Sequence, residues 1–192
     1  MIRIGITGGI GSGKSVVSRL LEFHGIPVYN ADDAGRRLSN TSPVIIKGLK
    51  KLFGKEIYVD GCLDRRRLAS FAFSNESVLN KVNAVIHPIV MDDCKRWADT
   101  LDADICACES AIIYEGRLDI FFDVITTVYA PASVRINRVM ARDGSTEAEI
   151  IKRMNRQLPD ELKRGKADFV IVNDGIRPLI PQVEEFLRNK IF

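Results

Sequence analysis

The chain has 192 residues, of which 46% are hydrophobic and 28% charged, and its formal net charge is +3. That length suits one domain able to bury about 70% of its unfolded surface with no disulfide or metal, and the composition is that of an ordinary soluble protein. The small basic excess argues against a nucleic-acid binder and no apolar run reaches a membrane span, so what charge there is leaves room only for a local basic site facing phosphates.

Ile2, Ile4 and Ile6 alternate in a strand predicted over about 2–7. With no signal or transit segment ahead of it, the cytoplasm is the expected location. From Gly8 to Ser15 the chain reads G-x-x-x-x-G-K-S, and Val16, Val17, Leu20 and Leu21 then follow at helical spacing. A strand, a glycine loop and a helix in that order form the context of a phosphate-binding P-loop. Gly8, Gly9, Gly11 and Gly13 are expected at φ > 0, which lets successive N–H groups surround a phosphate. Lys14 reaches the terminal phosphates, the Ser15 hydroxyl is the expected Mg²⁺ ligand, and the helix N-terminus adds a favourable field. The helix spans about 14–24 and ends at Gly25.

A short strand is predicted at 26–30, followed by a turn into a helix at "ADDAGRRL". Residues 36–100 read as a mostly helical insertion, in which Val78, Val82, Val85, Ile86, Ile89 and Val90 share helical spacing and Pro88 should bend or restart the helix. Strands resume at 104–113, 123–130 and 168–174. Between the last two lies an arginine-rich helical pair joined at Asp143-Gly144, with Ser145 or Thr146 capping the second helix. Five apolar strands separated by helices predict an α/β fold with a parallel sheet, helices on both faces and sites at its carboxyl edge. Cys62, Cys94, Cys106 and Cys108 lack paired metal-ligand spacing and are expected to be buried reduced thiols.

Several further residues could carry chemistry. Asp32, just after the second strand, either orients or deprotonates an acceptor hydroxyl or caps a helix. Glu109 ends the third strand, where P-loop proteins hold Mg²⁺ through a carboxylate. Arg138, Arg142, Arg153 and Arg156 recur at helical spacing and could arrive with substrate to stabilise a migrating phosphoryl group, whereas a charge run is ordinarily a solvated face. His87 reads as a satisfied histidine on an apolar helix.

Taken in order, "GITGGIGSGKS", "NADDAGR", "DRRRL", "VIHP", "ESAIIYE", "RVMARDG", "KRMNRQ" and "DFVIVNDG" resemble the dephospho-CoA kinase family over nearly the whole chain. The resemblance implies a P-loop NTPase fold in a single domain, with a substrate-binding insertion at about 36–100 and a lid at about 138–166. It implies ATP with Mg²⁺ as phosphoryl donor and dephospho-CoA as acceptor, with no nucleic-acid or membrane partner; oligomeric state is left open. Gly8, Gly9, Gly11, Ser12, Gly13, Lys14, Ser15 and Val16 would hold the nucleotide, with Asn173 near adenine. Asp32 would be the catalytic base, Arg65, His87 and Glu115 would bind dephospho-CoA, and Arg138 and Arg142 would act from the lid. Asn30, Glu109, Ala111 and Arg135 stand where the family usually has Asp, Asp, Pro and Gln. The alternatives are another small-molecule or nucleoside monophosphate kinase of the same fold and a GTP-dependent switch. The switch needs Asn-Lys-x-Asp, and "NKVN" at 80–83 ends in Asn83.

Overall fold

A computed structural model describes residues 1–74 and 76–192, and the side chains of all but 72–76. Contacts divide the chain into two units, one formed by Met1–Asn30 with Asp102–Phe192 and the other by Ala31–Leu101.

The first unit is built on a parallel sheet of β1 (Ile2–Thr7), β2 (Val28–Asn30), β5 (Ile105–Glu109), β6 (Val124–Tyr129) and β7 (Phe169–Val172), in the order β2-β5-β1-β6-β7. β1 lies at the centre because its alternate residues are buried on both sides. Ile4 and Ile6 face α1 (Lys14–Phe23) and α9 (Leu179–Lys190), in a core with Val17, Leu21, Ala107, Val128, Ile171, Val183 and Phe186. On the other face, a Cβ at Gly5 would stand 3.0 Å from Ile113 and Phe122, so cover there comes in part from the 110–122 segment. The five parallel strands and the helices around them match the expected fold. The strand predicted over 104–113 is shorter: after Glu109 the Ser110 N–H makes a last bond to the Ile6 carbonyl at 3.0 Å, and residues 111–117 form successive turns. Between β6 and β7 stand α6 (Ala132–Asp143), α7 (Glu147–Met154) and a third helix, α8 (Asp160–Lys166), where the sequence suggested two. Thr146 caps α7 in a reciprocal box with Glu149.

The second unit is helical: α2 (Ala31–Thr41), α3 (Pro43–Phe53), α4 (Arg65–Ser74) and α5 (Glu76–Asp99), with a two-stranded hairpin of β3 (Tyr58–Val59) and β4 (Cys62–Leu63) that the sequence did not announce. α5 packs against α2, α3 and α4, and the close approach of α3 needs Gly48, where a Cβ would lie 2.7 Å from Val85. α5 runs through Pro88 without restarting, contrary to one of the two expected outcomes; Val82, Val90, Met91, Cys94 and Ala98, buried along its length, hold both halves in register. Residues 80–83 lie inside this helix rather than in a base-reading loop. None of the four cysteines is in a disulfide, and Cys94, Cys106 and Cys108 are buried; Cys62 is exposed, against the expectation, because alternation along β4 turns Leu63 inward and Cys62 outward.

Candidate active site

The glycine loop joins β1 to α1 with Gly8, Gly11 and Gly13 at φ of 147°, 77° and 93°. Gly9 is not among the left-handed residues, which corrects the expectation for it: its missing side chain makes room for the Arg135 guanidinium. Lys14 is buried, its ammonium 3.1 Å from the Gly8 carbonyl and 3.4 Å from that of Gly9. The Ser12 hydroxyl is buried with no partner, and beneath the loop the in-register pair Thr7 and Thr127 also carry unpartnered hydroxyls. Buried hydroxyls left unsatisfied at a glycine loop that opens a helix suit an anion rich in acceptor oxygens. Ser15 and Val16 are exposed at the first turn of α1.

Glu109 closes β5, in register with Ile6 of β1 and Asn30 of β2. It is 8% exposed and accepts from Ser18 Oγ at 2.8 Å, one turn along α1 from Ser15. A serine hydroxyl and a carboxylate are the hard oxygen donors that Mg²⁺ accepts, usually together with water and substrate phosphates. Among the described residues no cluster of three or more His, Cys, Asp or Glu could hold a metal by itself, so a metal here would depend on phosphate oxygens as ligands.

Two of the predicted residues join at the other side of the loop. Asn173, just past β7, donates from Nδ2 to the Ser12 carbonyl at 2.8 Å. Arg138 of α6 donates to the Asn173 carbonyl at 3.0 Å and to its Oδ1 at 3.2 Å. Arg138 therefore reaches the loop through Asn173. Arg142 does not join them. It pairs with Asp143 at 2.6 and 3.0 Å, and Arg153 reaches the same carboxylate at 3.2 Å. Hydrogen bonds from these two arginines hold Asp143 down at a pKa of about 2, Arg142 being the stronger influence. Arg156 is exposed.

Glu115 is engaged on its own unit: its Oε1 accepts from the Leu158 N–H at 2.8 Å and meets Lys163 Nζ at 2.7 Å. Lys163 is fully buried, and it also donates to the Ala111 carbonyl at 2.8 Å. A proline at position 111 would offer the same acceptor, so alanine there removes no group from this network. Arg135 is buried too; it donates from Nε to the Ile10 carbonyl at 3.0 Å and pairs with Asp160, while Gln157 accepts the Ile10 N–H at 2.8 Å. Burial pushes the Asp160 carboxyl above the usual range, against the pull of Arg135 and Lys163. Ser18, Arg135, Gln157, Asp160 and Lys163 were not singled out as site residues from the sequence. Arg135 carries a signal in retrospect, standing three and seven residues before Arg138 and Arg142, whereas Lys163 lies in a charge run that reads as solvated.

Asp32, Arg65 and His87 belong to the second unit. Asp32 is exposed in the first turn of α2, and Arg65 is exposed at the start of α4. His87 on α5 is half-buried; burial lowers its pKa, and the nearby Asp32 carboxylate offsets part of that. The structure thus brings two of these three into electrostatic range of each other.

The dephospho-CoA kinase family profile matches residues 2–178. The dephospho-CoA kinase of Bacteroides fragilis is 44% identical across 99% of this chain and 95% of its own length. Among solved structures, a protein of Thermus thermophilus is 34% identical with a TM-score of 0.88, covering 100% of this chain and 98% of that one. The dephospho-CoA kinase of Campylobacter jejuni, at 18% identity, shares the fold with a TM-score of 0.66 over 97% of this chain and 95% of its own. With a glycine loop, a buried lysine and a strand-end carboxylate in place, and a family match across nearly the whole length, this chain belongs to the dephospho-CoA kinase family.

Proposed function

We propose that the protein transfers the γ-phosphoryl group of ATP to the 3′-hydroxyl of dephospho-CoA, releasing ADP and CoA, in the last step of coenzyme A synthesis. The observation that carries the reading is the family match at residues 2–178 coinciding with an intact phosphate loop whose Gly8, Gly11 and Gly13 adopt positive φ. Loop N–H groups and the Ser12 hydroxyl receive the phosphates, and Lys14 exchanges the Gly8 and Gly9 carbonyls for phosphate oxygens, which are stronger acceptors. Ser15 and Glu109 are the residues that would hold Mg²⁺. Bound there with the nucleotide, the ion would neutralise charge on the phosphate oxygens.

Asp32 is assigned to the acceptor hydroxyl, which it aligns for in-line attack and whose proton it takes up as the bond forms. Arg65 and His87 are assigned to dephospho-CoA. Arg138 bears on the nucleotide through Asn173, and residues 138–166 act as a lid that excludes water during transfer. Glu115 is assigned a supporting role for that segment, since its carboxylate is taken up by Lys163 and the Leu158 N–H. The buried thiols, none in a disulfide, suit a reducing compartment, and the cytoplasm is the assigned location. Among the described residues no helix is long and apolar enough to cross a membrane.

The deciding experiment incubates the protein with Mg-ATP and a panel of hydroxyl acceptors that includes dephospho-CoA, shikimate and nucleoside monophosphates. CoA formation with turnover on no other acceptor supports the reading. Phosphorylation of another acceptor in preference would assign the protein to a different small-molecule kinase on the same fold.

A further inference from the structure

Ile10 lies within the phosphate loop, and side chains from residues 131–166 take both of its backbone polar groups. Its N–H donates to Gln157 Oε1 at 2.8 Å and its carbonyl accepts from Arg135 Nε at 3.0 Å. The Arg135 side chain is 3% exposed, and its Nη1 pairs with Asp160 on α8. Nothing in the eight-residue motif requires this, since glycines on either side of Ile10 permit many loop curvatures. Both glycines are fitted to the arginine. A Cβ at Gly9 would fall on the guanidinium, and one at Gly11 would stand 2.6 Å from the Arg135 carbonyl oxygen and 2.9 Å from Val139 Cγ2. A guanidinium presents donors on separate edges and can serve Ile10 and Asp160 at once; one ammonium on a flexible stem cannot do this in the same place.

The geometry points to Arg135 and Gln157 as positioning residues for phosphoryl transfer: together they fix the Ile10 peptide, and with it the curvature of the loop against the transferring group. This rests on the kinase reading above. Since both Ile10 groups are turned toward protein, the pair acts on alignment, while nucleotide affinity comes from the N–H groups further along the loop and from Lys14. A misplacement of about 1 Å in a reacting group costs up to about 100-fold in rate.

The test compares Arg135→Lys, Gln157→Ala and the double variant with the parent chain. Each is measured for kcat with Mg-ATP and dephospho-CoA, for the Mg-ADP dissociation constant, for thermal midpoint and for exchange of the Ile10 amide by NMR. Each single variant should lose kcat by about 10–100-fold while Mg-ADP affinity stays within about threefold. Ile10 should exchange faster in Gln157→Ala, and the double variant should be little worse than the poorer single, because both residues act on one peptide. Arg135→Lys keeps a cation opposite Asp160, so a role limited to compensating that carboxylate would leave kcat at the parent value; that result overturns the inference. Equal losses of kcat and Mg-ADP affinity, or of kcat and thermal midpoint, overturn it as well, since they would mark a general loosening of the unit. Should the parent form no CoA, the kinase reading fails by itself, and unchanged Ile10 exchange in Gln157→Ala would separately show that the pair does not hold the loop.

Discussion

Lys14 sits with its ammonium on two carbonyls of its own loop, 8% exposed, and that placement makes its loss easy to interpret. Lys14→Ala removes a cation that neutralises phosphate charge without touching the glycine φ angles, so the rate of CoA formation should fall by about 10²-fold or more. Parent-like turnover would remove the lysine from the chemistry. Asp32 supports a complementary expectation. Asp32→Asn keeps the size and one acceptor oxygen, and kcat should drop by about 10²–10⁴-fold while the ATP dissociation constant stays near the parent value, since the phosphate loop is unaltered. A variant that makes CoA at the parent rate would leave Asp32 as a helix-terminal residue only, favoured in the first turn of α2 by the positive end of the helix. At this scale the motif residues were legible because their chemistry is local: the G-x-x-x-x-G-K-S spacing dictates a loop whatever surrounds it. Arg135 and Lys163 were not, because what makes each of them matter is burial by segments distant in sequence, and an arginine or lysine in a charged helix looks the same whether solvent or Asp160 lies beyond it.

Strands β1, β6 and β7 could be read from alternation and apolar runs, and α1 from its glycine boundaries. The end of β5 could not, because Ala111, Ile112 and Ile113 continue an apolar run while the chain turns to cover the sheet face above Gly5. The hairpin of β3 and β4 escaped for a different reason. Its strands are two residues long, and their order depends on Tyr58 Oη donating to the Ser39 carbonyl at 2.7 Å and on the Leu63 N–H donating to Asn40 Oδ1 at 2.8 Å, contacts with α2 that no local pattern carries. The helices between β6 and β7 support a prediction of their own. Val139, packed against Gly11, and Lys163, paired with Glu115, anchor them to the rest of the unit, and polar side chains add Arg135 and Gln157 on Ile10 and Arg138 on Asn173. Arg142 and Arg153, by contrast, are paired with Asp143 within the segment and can exchange that contact for one to a bound triphosphate, as a closing element requires. Hydrogen exchange over residues 138–166 should slow when ATP and dephospho-CoA are both present. Equal protection with and without them would mean that these helices are fixed in place.

For the molecule as a whole, pH enters through His87. Burial holds its folded pKa below the ordinary 6.5, so between that lowered value and about 6.5 the unfolded chain binds a proton that the folded chain refuses. Stability should fall as pH drops through this window and level off once folded His87 also protonates. The difference in thermal midpoint between the parent and His87→Gln, followed from pH 8 to 5, isolates the effect, and Asp32→Asn should steepen the parent slope by removing the offsetting charge. Identical pH slopes for parent and His87→Gln would count against it. The sheet order has another consequence, for synthesis of the protein. Among the described residues the central strand β1 pairs with β5 and β6, and β2 with β5, so neither Ile2–Thr7 nor Val28–Asn30 has a partner there until Ile105–Glu109 has been made. At the usual pace of translation the roughly 100 residues between β1 and β5 take about 5–20 s. Throughout that interval the isoleucine-rich strand β1 waits with bare ladder groups on both edges while the helical 31–101 unit is made behind it, which makes that strand a stretch for a chaperone to shield.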